Sequence, residues 1–227
     1  MTPKNLQQRL GITFKNQHLL EQALTHRSYV NENPSAGNDY ERLEFLGDAI
    51  LDFVVGEWVF KRHPQLSEGE LTRIRSALVR TETLADIARG IRLGDYLRIG
   101  KGEERNGGRE RPVILCRALE ALIGAIYLDL GIERVRGVLL PMLEQQEALV
   151  FSDAIAKDAR TRLQEWVQSN HHQVPSYEVI AISGPDHARH YRVSVSINGE
   201  QWAIGEGKSI LAASQHAATL ALARLPS

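Results

Sequence analysis

The chain has 227 residues, enough for one large domain or two modest ones. Apolar residues make up 43% and charged residues 24%, which excludes a wholly disordered chain. With 27 Lys and Arg against 28 Asp and Glu there is no global basic field, so any grip on a polyanion must come from local patches.

The opening residues lack the apolar core of a signal peptide, and no apolar run approaches the length of a membrane span. Residues 5 to 35 read as a short helix, a turn at Gly11 and a second helix from about Gln17 to Tyr29. Asn31 to Asn38 is polar, holds Pro34 and Gly37, and reads as a loop. The next stretch, DYERLEFLGDAIL from Asp39 to Leu51, is predicted to be helical as far as about Arg62, where His63-Pro64 ends it. At about 100° per residue, Glu41, Glu44 and Asp48 fall in one narrow stripe. Leu43, Leu46, Ile50 and Phe53 repeat on another face. Like charges at that spacing repel one another. One reading is a solvated acidic face. The other is a cleft, because the acids are interleaved with Leu, Phe and Gly rather than Lys and Gln. Clustered carboxylates in a cleft suit Mg²⁺, a hard cation that takes oxygen ligands.

Ser67 and Glu70 form a capping box, so a new helix starts there, with Glu68 as a first-turn acid that the helix dipole favours. A further helix runs through Thr83 to Arg89 and ends at Gly90. LRIGKGEERNGGRER is Gly-rich and of balanced charge; it reads as a surface loop and lacks the spacing of a phosphate-cradling Gly loop. Val113 to Leu128 is apolar on nearly every face, the mark of a buried central helix. Only Arg117 and Glu120 interrupt it, on one side, and a buried Glu needs either a metal or a cation as partner. Cys116, the one cysteine, permits no intrachain disulfide and points to a cytoplasmic protein. Gly131 to Leu149 is a helix or helix pair interrupted by Pro141, and Phe151 to Asp158 a short connection. The domain boundary falls near residue 153.

Beyond it the apolar period changes from 3.6 to 2. Ala159 to Ser169 is a helix, Tyr177 to Ile182 a strand, and Tyr191, Val193, Val195 and Ile197 alternate in a second strand that turns at Asn198-Gly199. Trp202 to Gly205 completes a third strand, and Ser209 to Arg224 is an Ala-rich helix. The fold class is therefore multidomain: a mostly α-helical domain, residues 1–152, followed by a small α+β domain of order αβββα, residues 153–227.

ERLEFLGDAIL closely resembles the signature of the ribonuclease III family, metal-dependent endonucleases of double-stranded RNA. LSEGELTRIRSALVR, ALEALIGAIYLD and the C-terminal module extend the resemblance over nearly the whole chain, in family order. It implies an endoribonuclease that hydrolyses phosphodiester bonds of double-stranded RNA with Mg²⁺, or Mn²⁺ as substitute, leaving 5′-phosphate and 3′-hydroxyl ends. It implies a role in rRNA and mRNA processing and a homodimer formed through the nuclease domain. Matched residue by residue, the metal ligands are Glu44, Asp48 and Glu120, with Arg117 at the expected fourth position. Asp48, Glu120, Glu41 and Glu68 match the catalytic acids. Phe45 matches a dimer contact, against the alternative of a core Phe. Thr25, His26 and Ser28 match residues that support the fold, and a packed His26 is the expectation over a catalytic base. In the C-terminal module Gln164, Glu165, His187 and Lys208 match RNA contacts in minor and major grooves.

Two departures bear on function. The family has an acid where this chain has Arg117, a permanent cation three residues before Glu120; an Arg117–Glu120 salt bridge filling the vacant metal site is one reading. The last helix of the module normally opens with paired lysines, and here Ile210 and Leu211 stand in their places, so weak duplex binding is expected. The leading reading is a homodimeric endoribonuclease, impaired to a degree set by Arg117. The alternative is a non-cleaving relative that holds duplex RNA as a regulator or dimer partner.

Overall fold

The computed structural model describes residues 2–156, 159–171, 173–185 and 189–225, with the side chains of 148–156 and 171 left aside. In chain order the helices are α1 (Pro3–Leu10), α2 (Gln17–Ala23), α3 (Arg27–Glu32), α4 (Glu41–Arg62), α5 (Glu68–Leu78), α6 (Thr81–Gly90), α7 (Lys101–Arg105), α8 (Pro112–Leu130), α9 (Ile132–Ala156), α10 (Ala159–His171) and α11 (Ile210–Leu222). Three strands, β1 (Ser176–Ser183), β2 (His190–Ile197) and β3 (Glu200–Gly207), lie between the last two. The chain divides into two units, Met1–Val150 and Phe151–Ser227.

In the first unit α8 is the axis. From Ile114 to Ile126 every residue is buried except Arg117, which is exposed, and Glu120, which is half-buried. Helices α4, α6 and α2 pack on it. The α4–α8 crossing is set by two glycines. A Cβ at Gly47 would lie 1.7 Å from the Glu120 carbonyl oxygen, and one at Gly124 would lie 2.3 Å from the Leu43 carbonyl oxygen. Only backbone without side chains allows that approach. It brings the acidic stripe of α4 against the Glu120 turn of α8. On α4 itself Leu43, Gly47, Ile50, Leu51, Val54, Val55 and Val59 form the buried face. Phe53, expected on that face, is 58% exposed, because Leu51, Val54 and Val55 take the core positions around it.

Several boundaries differ from the sequence reading. The helix expected from Gln17 to Tyr29 is two helices, broken where Leu24–His26 pairs with the chain beside Arg98. The Arg98 N–H donates to the Leu24 carbonyl at 2.7 Å and the His26 N–H to the Arg98 carbonyl at 2.9 Å. The same segment holds the start of α4, since the Tyr40 N–H donates to the Thr25 carbonyl at 3.0 Å. The Gly-rich loop contains α7 and a 3-10 turn at Gly108–Glu110, short helical segments that the Gly content obscured. At Ser67 the capping box forms as expected and starts α5. Helix α9 passes through Pro141 and continues to Ala156, across most of the expected connection.

In the second unit β1, β2 and β3 form an antiparallel sheet in that order. Asn198 and Gly199, both at positive φ (54° and 81°), make the β2–β3 turn. Leu163 and Val167 of α10, Val195 and Ile197 of β2, and Ala217, Ala218 and Ala221 of α11 share one core. Small residues let α11 close on β3: a Cβ at Gly205 would lie 2.1 Å from the Ala217 nitrogen. That contact fixes the register, so α11 does open with Ile210 and Leu211, which are 50% and 56% exposed.

Candidate functional site

The Gly47–Gly124 crossing sets Glu44 and Asp48 of α4 near enough to Glu120 of α8 for their charges to act on it. Each carboxylate acts on its neighbours. Burial, followed by repulsion from Asp48 and Glu44, pushes the Glu120 carboxyl up to about 7, although a hydrogen bond from the Cys116 thiol and the Arg117 charge work the other way. Glu44 is also raised, chiefly by burial, with Arg117 opposing and Glu41 and Asp48 adding to the rise. Ionised together, these acids would repel in a partly desolvated cleft, and that is the condition a cation relieves.

Arg117 does not pair with Glu120 as one reading of the sequence had it. Its Nε lies 3.3 Å from Glu44 Oε1, across the helix crossing rather than along α8. Glu120 instead accepts from Cys116 Sγ, one turn earlier on the same helix, at 3.3 Å. The reason is geometric: Arg117 leaves α8 towards α4, where the anion nearest its guanidinium is Glu44. The arginine side chain is 54% exposed, so the pair contributes at most about 1 kcal/mol to stability. Cys116 is an acquisition of the structure, legible only as a residue four positions before Glu120. Burial, together with the Glu120 charge, pushes its thiol up to about 12, so it stays a neutral donor.

The other predicted acids stand further out. Glu41 is exposed, and Arg27 Nη1 approaches its Oε1 at 3.3 Å. Glu68, exposed in the first turn of α5, accepts from the Thr72 hydroxyl at 3.1 Å. It lines a groove with Gly56, Phe60, Leu71 and Arg75, and does not join Glu44, Asp48 and Glu120. Among the described residues no three His, Cys, Asp or Glu side chains are gathered closely enough to hold a metal ion. His26 is a structural residue: its ring nitrogen Nδ1 accepts from the Ser28 N–H at 3.1 Å and caps α3. Ser28 Oγ in turn accepts from the Gly100 N–H at 2.9 Å. Phe45, beside Glu44, is 82% exposed and so is no core residue.

In the second unit Gln164 and Glu165 are exposed on α10, and Lys208 is exposed just before α11. His187 lies outside the described residues.

A family model described as Ribonuclease-III-like matches residues 16–146, and one described as Double-stranded RNA binding motif matches residues 159–225. Ribonuclease 3 of Pseudomonas syringae pv. syringae is 50% identical over 222 residues, covering 97% of this chain and 94% of that relative. Ribonuclease 3 of a Nitratiruptor species is 42% identical over 219 residues, covering 96% and 95%. The solved nuclease domain of ribonuclease III from Campylobacter jejuni is similar with a TM-score of 0.58 and 44% identity, over 63% of this chain and 96% of its own. That structure was described for flexibility in a region involved in dimer formation. The non-cleaving alternative gains no support from these relatives. Two matched domains in family order, acids of two crossing helices in the first and an αβββα module in the second, make this chain a member of the ribonuclease III family, an endoribonuclease of double-stranded RNA.

Proposed function

We propose that the chain hydrolyses phosphodiester bonds of double-stranded RNA at the cleft formed by Glu44, Asp48 and Glu120, with Mg²⁺ as its cation and Mn²⁺ as a substitute. The observation that carries this reading is the α4–α8 crossing at Gly47 and Gly124, which sets the acids of α4 beside the half-buried Glu120 of α8. Carboxylate oxygens are the donors a hard divalent cation takes, and Glu44, Asp48 and Glu120 are the residues that would hold it, once their side chains draw closer than the spacing they have here. Arg117, the fourth residue of the set, does not fit. When bound, the cation supplies polarisation of a phosphoryl oxygen and a nucleophile at neutral pH. The protein supplies the rest. The glycine crossing fixes the spacing of α4 and α8, Cys116 Sγ orients the Glu120 carboxylate, and the carboxylates keep their charge directed into the cleft. Glu41 contributes an acid near Glu44, whereas Glu68 stands apart in the groove with Phe60 and Arg75.

Residues 1–152 are taken as the nuclease domain and 153–227 as the RNA-binding domain, which engages the duplex through Gln164, Glu165, His187 and Lys208. A homodimer through the nuclease domain is supported by Phe45, Phe53 and Phe60, three large apolar side chains exposed on α4. The buried free thiol of Cys116 suits a cytoplasmic enzyme that works on duplex regions of rRNA and mRNA precursors.

The test is cleavage of a labelled RNA duplex and of its separated strands, with Mg²⁺ or Mn²⁺. The duplex alone should be cut, leaving 5′-phosphate ends, and Glu120→Gln should lower the rate by at least about a hundredfold. Equal cutting of both substrates, or full activity in the variant, would remove this assignment.

A further inference from the structure

The acid cleft already contains a positive charge of its own. Arg117 Nε lies 3.3 Å from Glu44 Oε1, and the two residues belong to different helices. The helices that carry them approach backbone to backbone at Gly47 and Gly124, and this sets Glu44 and Arg117 side by side. The guanidinium also favours the charged forms of Glu44 and Glu120, which places its field over both α4 and α8 acids. It is permanently protonated, unlike a lysine or histidine, so no pH change removes it.

We infer that Arg117 is a built-in counter-ion of the cleavage cleft, one that holds Glu44 and competes with a divalent cation for it. This deepens the proposed function and rests on its reading of the cleft as a cation site. Two charges of the same sign are thereby set against each other in one partly desolvated space, and a divalent ion gains Glu44 only as the Arg117 side chain swings out. Because that side chain is half-exposed, displacement is feasible, and the effect is a weaker site rather than a closed one. The consequence is an enzyme that needs more free divalent cation than its carboxylates alone would require.

The test measures Mn²⁺ binding to the full chain, without RNA, by the electron paramagnetic resonance of the free ion. Four proteins form a cycle: the native chain, Arg117→Gln, Glu44→Gln and the double variant. Arg117→Gln should bind Mn²⁺ about tenfold more tightly, and Arg117→Lys, which keeps the charge, should show a much smaller gain. Glu44→Gln should weaken binding little in the native background, where Glu44 is engaged, and about tenfold in the Arg117→Gln background. Unchanged affinity in Arg117→Gln, an equal loss from Glu44→Gln in both backgrounds, or no binding by any of the four would overturn the inference. Duplex cleavage separates it from the function itself. A native chain that never cuts, yet completes the cycle as expected, would remove the proposed function and leave the counter-ion standing.

Discussion

Glu120 lies where burial, two neighbouring carboxylates, a thiol donor and a guanidinium act on one group, and the upward influences win. A carboxyl raised from the usual 4.5 to about 7 holds its proton more tightly folded than unfolded. Its contribution to stability is therefore full below the unfolded value and is lost as pH rises through the folded one. In a chelator-treated sample, Glu120→Gln should gain stability relative to the native chain between pH 5 and pH 8. Urea unfolding at both values measures this, and a difference that does not change with pH would contradict the burial of the charge. The sequence already showed that Arg117 and Glu120 interrupt an apolar helix on one side. It could not show that Arg117 turns to Glu44, because that choice depends on how closely α4 approaches. Cys116 was hidden for a different reason: a cysteine in an apolar run looks like any small core residue until its neighbour one turn on is known to be half-buried.

At the scale of elements, the α4–α8 crossing places the acids, and its two glycines carry the placement. Gly47→Ala would set a methyl group 1.7 Å from a backbone oxygen, so the helices must part. A loss of about 3 kcal/mol or more is expected by denaturant unfolding, with cleavage lost alongside. A variant as stable as the native chain would mean that the crossing is looser than described. The α5 cap makes a milder case: Ser67→Ala should cost about 1 kcal/mol, since the hydroxyl accepts the Glu70 N–H. Elements with strong local signals were legible in the sequence, among them the capping box, the acidic stripe and the Asn198-Gly199 turn. The break at Thr25 was not, because it is imposed by pairing with Arg98, distant in the chain. The continuation of α9 to Ala156 was missed because Pro141 and the polar residues after Phe151 suggested an earlier end.

For the whole molecule, the two units divide the work between cutting and gripping, and the gripping unit has an apolar start to α11. Ile210→Lys with Leu211→Lys should tighten duplex RNA binding and steepen the dependence of log affinity on log salt by about two units. Binding isotherms between low and moderate salt measure that slope, and an unchanged slope would show that these positions do not face phosphate. Phe45 belongs to the cutting unit and is exposed, so Phe45→Ala should leave unfolding stability within about 0.5 kcal/mol while shifting sedimentation from dimer towards monomer. The proposed function joins both scales: duplex RNA is cut at Glu44, Asp48 and Glu120 with a divalent cation that Arg117 restrains. The most direct measurement is the Mg²⁺ concentration giving half-maximal duplex cleavage, compared between the native chain and Arg117→Asp. The predicted result is cleavage by both, with the variant needing about tenfold less Mg²⁺. Cleavage by neither, or the same Mg²⁺ requirement for both, would contradict it.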